Sequence, residues 1–288
     1  MNHRCIFFGS SPFSVIVLNE LAAAGIVPVA VVTAPDSKKG RGLVLTPSAV
    51  KTWATEKGVA VLTPSTLKDE AVVRELADLS ARESVNVFVT ASYGKIIPES
   101  ILAIPARGTL NVHPSLLPKL RGPSPIESAI LTEEKTGVSI MLVDKEVDHG
   151  DVVSQKEVAI TNWPPYAEEL ETTLAHEGGR MLAEILPRWV AGAVDAHPQN
   201  HSAATFTKKL RGEDGLIDLS DDPARNLRKI RAFHISPGAY FFAEKKDGTK
   251  IRVRIKTAHI ENNTLVLERV VPEGKKEMLY EDFKRGFH

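Results

Sequence analysis

Hydrophobic and polar positions change period repeatedly along the first 190 residues. Residues 5–10 are an apolar run, and residues 12–24 follow with Phe13, Ile16, Val17 and Leu21 at helical spacing. Short apolar runs rich in valine recur at 27–33, 59–62, 86–91, 109–112 and 138–143. Segments that read as helices separate them, at 47–57, 69–79, 98–102 and 125–131. Largely apolar runs of this length suit strands buried on both faces. Their alternation with helices predicts an α/β fold with a doubly wound, mostly parallel sheet. Ligands of such sheets bind beyond the carboxyl ends of the strands, near the point where strand order reverses.

A longer helix is predicted over residues 166–190, with Leu170, Leu174, Met181, Leu182 and Ile185 along one apolar face. Residues 191–205 mix Gly, Pro, Asn, His and small side chains, a composition that suits a linker. A helix at 223–233 and β segments at 239–242, 250–257, 264–270 and 277–280 follow. These predict a small OB-like β-barrel, an architecture that commonly meets nucleic acid. The expected organisation is a catalytic domain at 1–190, a linker at 191–205 and a β-barrel domain at 206–288. The winding of the first domain is Rossmann-like, but Phe8-Gly9-Ser10-Ser11-Pro12 after the first strand offers one glycine where a dinucleotide clamp needs three. A phosphate-cradling Gly-x-x-x-x-Gly-Lys-Ser/Thr loop is also absent from the sequence.

Composition adds little to this until charge is mapped along the chain. Of 288 residues 43% are hydrophobic and 25% charged, as in ordinary globular proteins. The apolar runs are too short for membrane-spanning helices, and Met1-Asn2-His3-Arg4 leads into the first strand without a signal-peptide pattern. One cysteine excludes an intrachain disulfide. The expected location is the cytoplasm. The net charge of zero conceals an asymmetry, since residues 205–288 carry 18 Lys and Arg against 13 Asp and Glu, while residues 1–204 carry 18 against 23. A basic appendage on an acidic body suits a polyanion, although surface composition also fluctuates this much by chance.

The candidate chemistry lies around residues 108–118. Gly108-Thr109-Leu110-Asn111-Val112-His113 reads as a strand running into a loop bounded by Pro114 and Pro118. Side chains at i and i+2 share a face, so Asn111 and His113 point together. An amide and an imidazole at a strand's end can hold a polarised carbonyl. A carboxylate from another loop would orient the imidazole and favour its cation. Asp148, in Asp148-His149-Gly150-Asp151, is such a carboxylate, with Gly150 permitting a sharp turn. Spacing alone leaves two readings open: a catalytic trio, or a histidine bonded beneath the following loop with Asp148 and Asp151 capping their turn. Metal binding is not expected, because no second His or Cys lies at ligand spacing. Elsewhere, Lys38, Lys39 and Arg41 around Gly40 and Gly42 read either as a positive finger able to reach phosphates or as a solvated surface loop. In Ile251-Arg252-Val253-Arg254-Ile255-Lys256 the alternation sends Arg252, Arg254 and Lys256 to one outer face.

The run Leu-Asn-Val-His-Pro-Ser-Leu-Leu-Pro-Lys-Leu-Arg-Gly-Pro-Ser-Pro-Ile, from Leu110 to Ile126, resembles the signature of the folate-dependent formyltransferases. That resemblance implies Asn111, His113 and Asp148 as the catalytic trio, and Ser115, Leu116, Leu117 and Pro118 as the folate-contacting turn. It implies 10-formyltetrahydrofolate as cosubstrate and no metal. The family usually has a small hydroxylated residue where His149 stands. Within the family, the branch acting on methionyl-tRNA fits best. Residues 33–42 and 46–51 resemble its insertion loop at the tRNA acceptor end, and Ala91-Ser92-Tyr93-Gly94 resembles its Ala-Tyr-Gly segment. Arg231-Ala232-Phe233, Pro272-Glu273-Gly274-Lys275-Lys276 and Asp282-Phe283-Lys284-Arg285-Gly286 resemble its carboxyl-terminal pattern. Leu43 and Val44 stand where that loop often carries further cations, leaving Lys38, Lys39 and Arg41 to make the contact.

The implied reaction is transfer of a formyl group to the α-amino group of initiator methionyl-tRNA, by a chain acting as a monomer. Arg252, Arg254 and Lys256 would add tRNA contacts. Two alternatives remain at this stage: N-formylation of a nucleotide-linked amino sugar by the same donor, and a non-catalytic RNA- or folate-binding module.

Overall fold

The computed structural model describes residues 4–39, 42–245 and 248–287. Along the chain, β1 (Cys5–Phe8) leads through α1 (Pro12–Ala23) to β2 (Ala30–Val32) and a short hairpin, β3 (Ser37–Lys39) and β4 (Val44–Thr46). Then come α2 (Ala49–Lys57), β5 (Ala60–Leu62), α3 (Glu70–Glu83), β6 (Val87–Thr90), α4 (Glu99–Leu102) and β7 (Thr109–His113). Next are α5 (Pro125–Thr132), β8 (Thr136–Leu142), β9 (Val152–Val158) and α6 (Ala167–Val190). The last part contains α7 (Pro223–Ala232), β10 (Tyr240–Glu244), β11 (Lys250–Glu261), β12 (Thr264–Pro272), β13 (Met278–Leu279) and α8 (Tyr280–Phe287). Two compact units result. One comprises Met1–Pro123, Thr136–Ala159 and Glu171–Phe206, and the other Ser124–Lys135, Ile160–Leu170 and Thr207–His288.

The first unit is built on a seven-stranded sheet in the order β5-β2-β1-β6-β7-β8-β9. Pairing is parallel from β5 to β7 and antiparallel from β7 to β9. Strand order reverses between β1 and β6, so β7 lies one strand from the switch point. The predicted doubly wound sheet is present. Strand β9 was not predicted, because it alternates weakly and exposes most of its polar Ser154, Gln155, Lys156 and Glu157 side of the edge. The finger at 37–46 pairs as a hairpin where the sequence predicts only a loop.

Helix boundaries follow from local chemistry. The Ser11 hydroxyl accepts from the Ser14 amide ahead of Pro12 and starts α1. Ser48 accepts from Lys51 N and starts α2, which Gly58 ends at φ 68°. Asp69 starts α3 by accepting from Ala71 N. On one face of the sheet, Ile6, Phe8, Ala30, Val32 and Phe88 pack with Leu67, Leu76, Tyr93, Ile97 and Ile101. Helix α6 closes on the strands that carry the candidate site. A Cβ at Gly178 would lie 2.5 Å from a Val112 methyl carbon, and one at Gly179 would lie 2.7 Å from Glu20 Cβ. Each glycine costs the helix about 1 kcal/mol of propensity and lets it approach β7 and α1 closely.

In the second unit the strands form an antiparallel sheet in the order β10-β11-β12-β13. Val253, Ile255 and Val270 are fully buried, and α7 starts where Asp222 accepts from Arg225 N. Among the described residues no helix is long and apolar enough to cross a membrane.

Candidate active site

Strand β7 places Asn111 and His113 two residues apart on one face, between parallel β6 and antiparallel β8. Asn111 is partly exposed, whereas His113 keeps only 4% of its surface. A buried imidazole needs partners on its nitrogens. Nε2 lies 3.1 Å from the Leu120 carbonyl oxygen. A carbonyl only accepts, so Nε2 carries the hydrogen and Nδ1 is the nitrogen turned toward the site. Asp148 Oδ1 stands 3.6 Å from that Nδ1. The histidine is thus bonded beneath its loop and also faces the carboxylate.

The loop after β7 is fixed by side chains of β8 and β9. Ser139 donates to the Ser115 carbonyl at 2.7 Å and accepts from Leu117 N at 3.2 Å. Gln155 donates to the Leu117 carbonyl at 2.9 Å. Of the four residues expected to meet folate, Ser115 is fully buried and donates its hydroxyl to the Lys119 carbonyl. Leu117 is buried, and Leu116 and Pro118 are half-buried. The Leu116 side chain lies over Gly137, where a Cβ would come within 2.6 Å of it.

Asp148 is the left-handed residue of its own turn, at φ 50°. Gly150 serves a different purpose from the sharp turn expected of it. A Cβ there would sit 2.0 Å from the Leu142 carbonyl oxygen, so only glycine lets the turn close against β8. Asp148 Oδ2 accepts from Gly122 N at 2.7 Å, which aims Oδ1 at the histidine. His149 binds Asp144 through Nδ1 at 2.7 Å and stacks on His201 with ring centres 4.1 Å apart.

Gln199 and His201 carry no sequence signal, whereas their partner Arg121 lies in the run from Leu110 to Ile126. Buried Gln199 accepts from Arg121 Nε and Nη2 at 3.1 and 2.7 Å. Its own amide donates to the carbonyls of Asp148 and Gly150 at 3.0 and 2.7 Å. Arg121, buried in turn, also donates to His201 Nδ1 at 2.9 Å. Among the described residues no group of three or more His, Cys, Asp or Glu could hold a metal ion.

The predicted cations lie elsewhere. Lys38 is exposed in the β3–β4 hairpin, whose base is tied by a Lys51–Asp36 ion pair at 2.7 Å. Lys39 ends β3, and Arg41 lies outside the described residues. Leu43, Val44 and Leu45 are each more than 60% exposed, so the described tip is apolar. In the second unit Arg252, Arg254 and Lys256 alternate with buried Val253 and Ile255. Arg254 donates to the carbonyls of His234 and Ile235, and Arg252 lies 3.7 Å over the Tyr240 ring.

Residues 3–186 match the formyl transferase family, and residues 209–265 match the formyl transferase C-terminal domain. The chain belongs to the formyl transferase family. Its relatives narrow the class: a methionyl-tRNA formyltransferase of Roseiflexus castenholzii is 39% identical, with 99% of this chain and 96% of that one covered. Another, of Chloroflexus aurantiacus strain J-10-fl, is 44% identical over 83% of this chain and 76% of its own.

Solved structures share the fold at low identity. The methionyl-tRNA formyltransferase from Clostridium thermocellum superposes with a TM-score of 0.59 at 16% identity, covering 93% of this chain and 98% of that one. A sugar N-formyltransferase from a Shewanella species gives 0.65 at 17% identity over 90% and 99%. HypX from Aquifex aeolicus, solved with tetrahydrofolic acid, gives 0.60 at 16% identity over 99% and 47%.

Proposed function

We propose that this chain transfers the formyl group of 10-formyltetrahydrofolate to the α-amino group of methionyl-tRNA, for the initiation of translation in the cytoplasm. The observation that carries this reading is the approach of Asp148 Oδ1 to His113 Nδ1, 3.6 Å, with the ring held from its other side by Leu120. The names of relatives 39% and 44% identical support the acceptor. Residues 1–190 carry the transfer chemistry in this reading, and 206–288 add contacts to tRNA.

The attacking amine must be neutral, and an α-amino group with a pKa of roughly 8 loses its proton readily near neutrality. Its nitrogen bonds to the formyl carbon, and charge collects on the formyl oxygen. The Asn111 amide and the Nδ1–H of a protonated His113 donate to that oxygen, where one donor is commonly worth about 3–4 kcal/mol. Asp148 holds the imidazole and offsets its positive charge. Collapse breaks the bond from carbon to the folate nitrogen, which takes the proton given up by the amine. The turn 115–118 contacts the folate, and Lys38, Lys39, Arg41, Arg252 and Lys256 contact the tRNA, whereas Arg254 is held by carbonyls of its own unit.

The test is competition. The purified chain is given labelled formyl donor with charged initiator tRNA and a nucleotide-linked amino sugar together. Label on the methionyl amine is expected. Label on the sugar alone would replace this reading with the sugar-nucleotide one, and label on neither would make the chain a binding module.

A further inference from the structure

We propose that the segment after α6, residues 197–206, is the positioning element of the active site, with Gln199 and Thr205 as its two working side chains. This rests on the reading of His113 and Asp148 as catalytic. The segment touches both loops that bring those groups together. Its backbone pairs with the Asp148 side, where His197 and Val152 exchange hydrogen bonds of 2.9 Å in both directions. It also pairs with the His113 side, where Arg121 N donates to the Thr205 carbonyl at 2.9 Å and Thr205 N donates to the Pro118 carbonyl at 3.3 Å.

The side-chain contacts fall on the two residues that most need holding. Leu120 and Asp148 are both left-handed without being glycine, at φ 59° and 50°. Such conformations persist only where the surroundings over-determine them. Thr205 Oγ1 accepts from Leu120 N at 2.9 Å, and the Leu120 carbonyl is the partner of His113 Nε2. Gln199 donates to the Asp148 carbonyl, and its amide cannot flip, because its oxygen is bound twice by the Arg121 guanidinium. One short segment thus fixes the histidine from one end and the aspartate from the other. The seven residues 199–205 join these two grips, beside the direct bond from Gly122 N to Asp148 Oδ2.

A residue that positions rather than reacts should change turnover and leave substrate affinity alone. The full-length chain is prepared as Gln199→Leu, Gln199→Glu, Thr205→Val, Thr205→Ser and Asp148→Asn. Melting temperature, kcat and the KM of both substrates are measured. Gln199→Leu and Thr205→Val are expected to lower kcat about tenfold to a hundredfold, as for a misplacement near 1 Å, with each KM within about twofold. Gln199→Glu keeps acceptors for Arg121 and loses the donations to the turn, so it should fall with Gln199→Leu. Thr205→Ser restores the hydroxyl and should return kcat to within about threefold of the parent.

In the Asp148→Asn background, Gln199→Leu should cost little more, because the group it positions is already disabled. Parental kcat in folded Gln199→Glu and Thr205→Val, with Asp148→Asn inactive, would overturn the positioning role alone. An active Asp148→Asn would instead overturn the catalytic reading beneath it. If Gln199→Leu does not fold, the Gln199→Glu, Thr205→Val and Thr205→Ser comparison decides the matter.

Discussion

His113 is held from two sides, and that determines which of its nitrogens can act. With Nε2 on the Leu120 carbonyl, Nδ1 is the nitrogen that faces Asp148. His113→Ala and Asn111→Ala should each lower kcat by about two to three decades, with melting curves close to the parent's. Near-parental turnover in folded variants would remove them from the mechanism. Cys5 has a different fate. It is wholly buried in β1, and burial pushes its thiol from the ordinary 9.0 up to about 12. The thiolate is the reactive form, so iodoacetamide should leave the folded chain unlabelled at neutral pH and label it fully in denaturant. The raised value stabilises the fold below pH 9.0, a contribution lost as pH climbs toward 12. Urea midpoints should therefore fall less steeply above pH 9.0 in Cys5→Ala than in the parent. Asn111, His113 and Asp148 can be named as candidates from strand period and turn residues. Gln199 cannot, because the turn it holds is reached through main-chain carbonyls, which exist at every position of any sequence.

At the scale of elements, the turn carrying Asp148 shows how pattern reading meets its limit. Asp-x-Gly-Asp reads as a turn from its residue types. Its handedness sits on Asp148, and Gly150 is needed for its contact with β8. Gly150→Ala would drive a methyl into the Leu142 carbonyl. It should cost about 1–3 kcal/mol of stability and lower kcat more than a surface substitution of equal cost, since the same turn presents the carboxylate. A thermal melt paired with kinetics checks both halves, and an unchanged melting temperature would mean the turn can open without penalty. The predicted strands are found, buried in β1, β2, β6, β7 and β8 and partly exposed in the edge strand β5. Edge strand β9 and the β3–β4 hairpin escaped prediction, since strands with one or no buried face leave little hydrophobic pattern.

For the whole molecule, charge along the chain becomes informative once the cations have neighbours. Arg254 is bonded to carbonyls of its own unit, whereas Lys38 is exposed. Removing Lys38, Lys39 and Arg41 together should weaken tRNA binding and reduce the slope of log affinity against log salt by about 2–3. Removing Arg254 should act mainly on stability. A filter-binding series across salt distinguishes the two, and a triple variant with the parental slope would take the hairpin out of the interface. The sequence by itself determined where helices and buried strands form, since periodicity and capping residues act locally. It also identified the strand end where an amide and an imidazole share a face. Only the tertiary structure decided the 3.6 Å approach of Asp148, the tautomer of His113 and the grip of Gln199 and Thr205. Those depend on contacts between residues from 7 to 85 positions apart, whose geometry exists only after the backbone has closed around them.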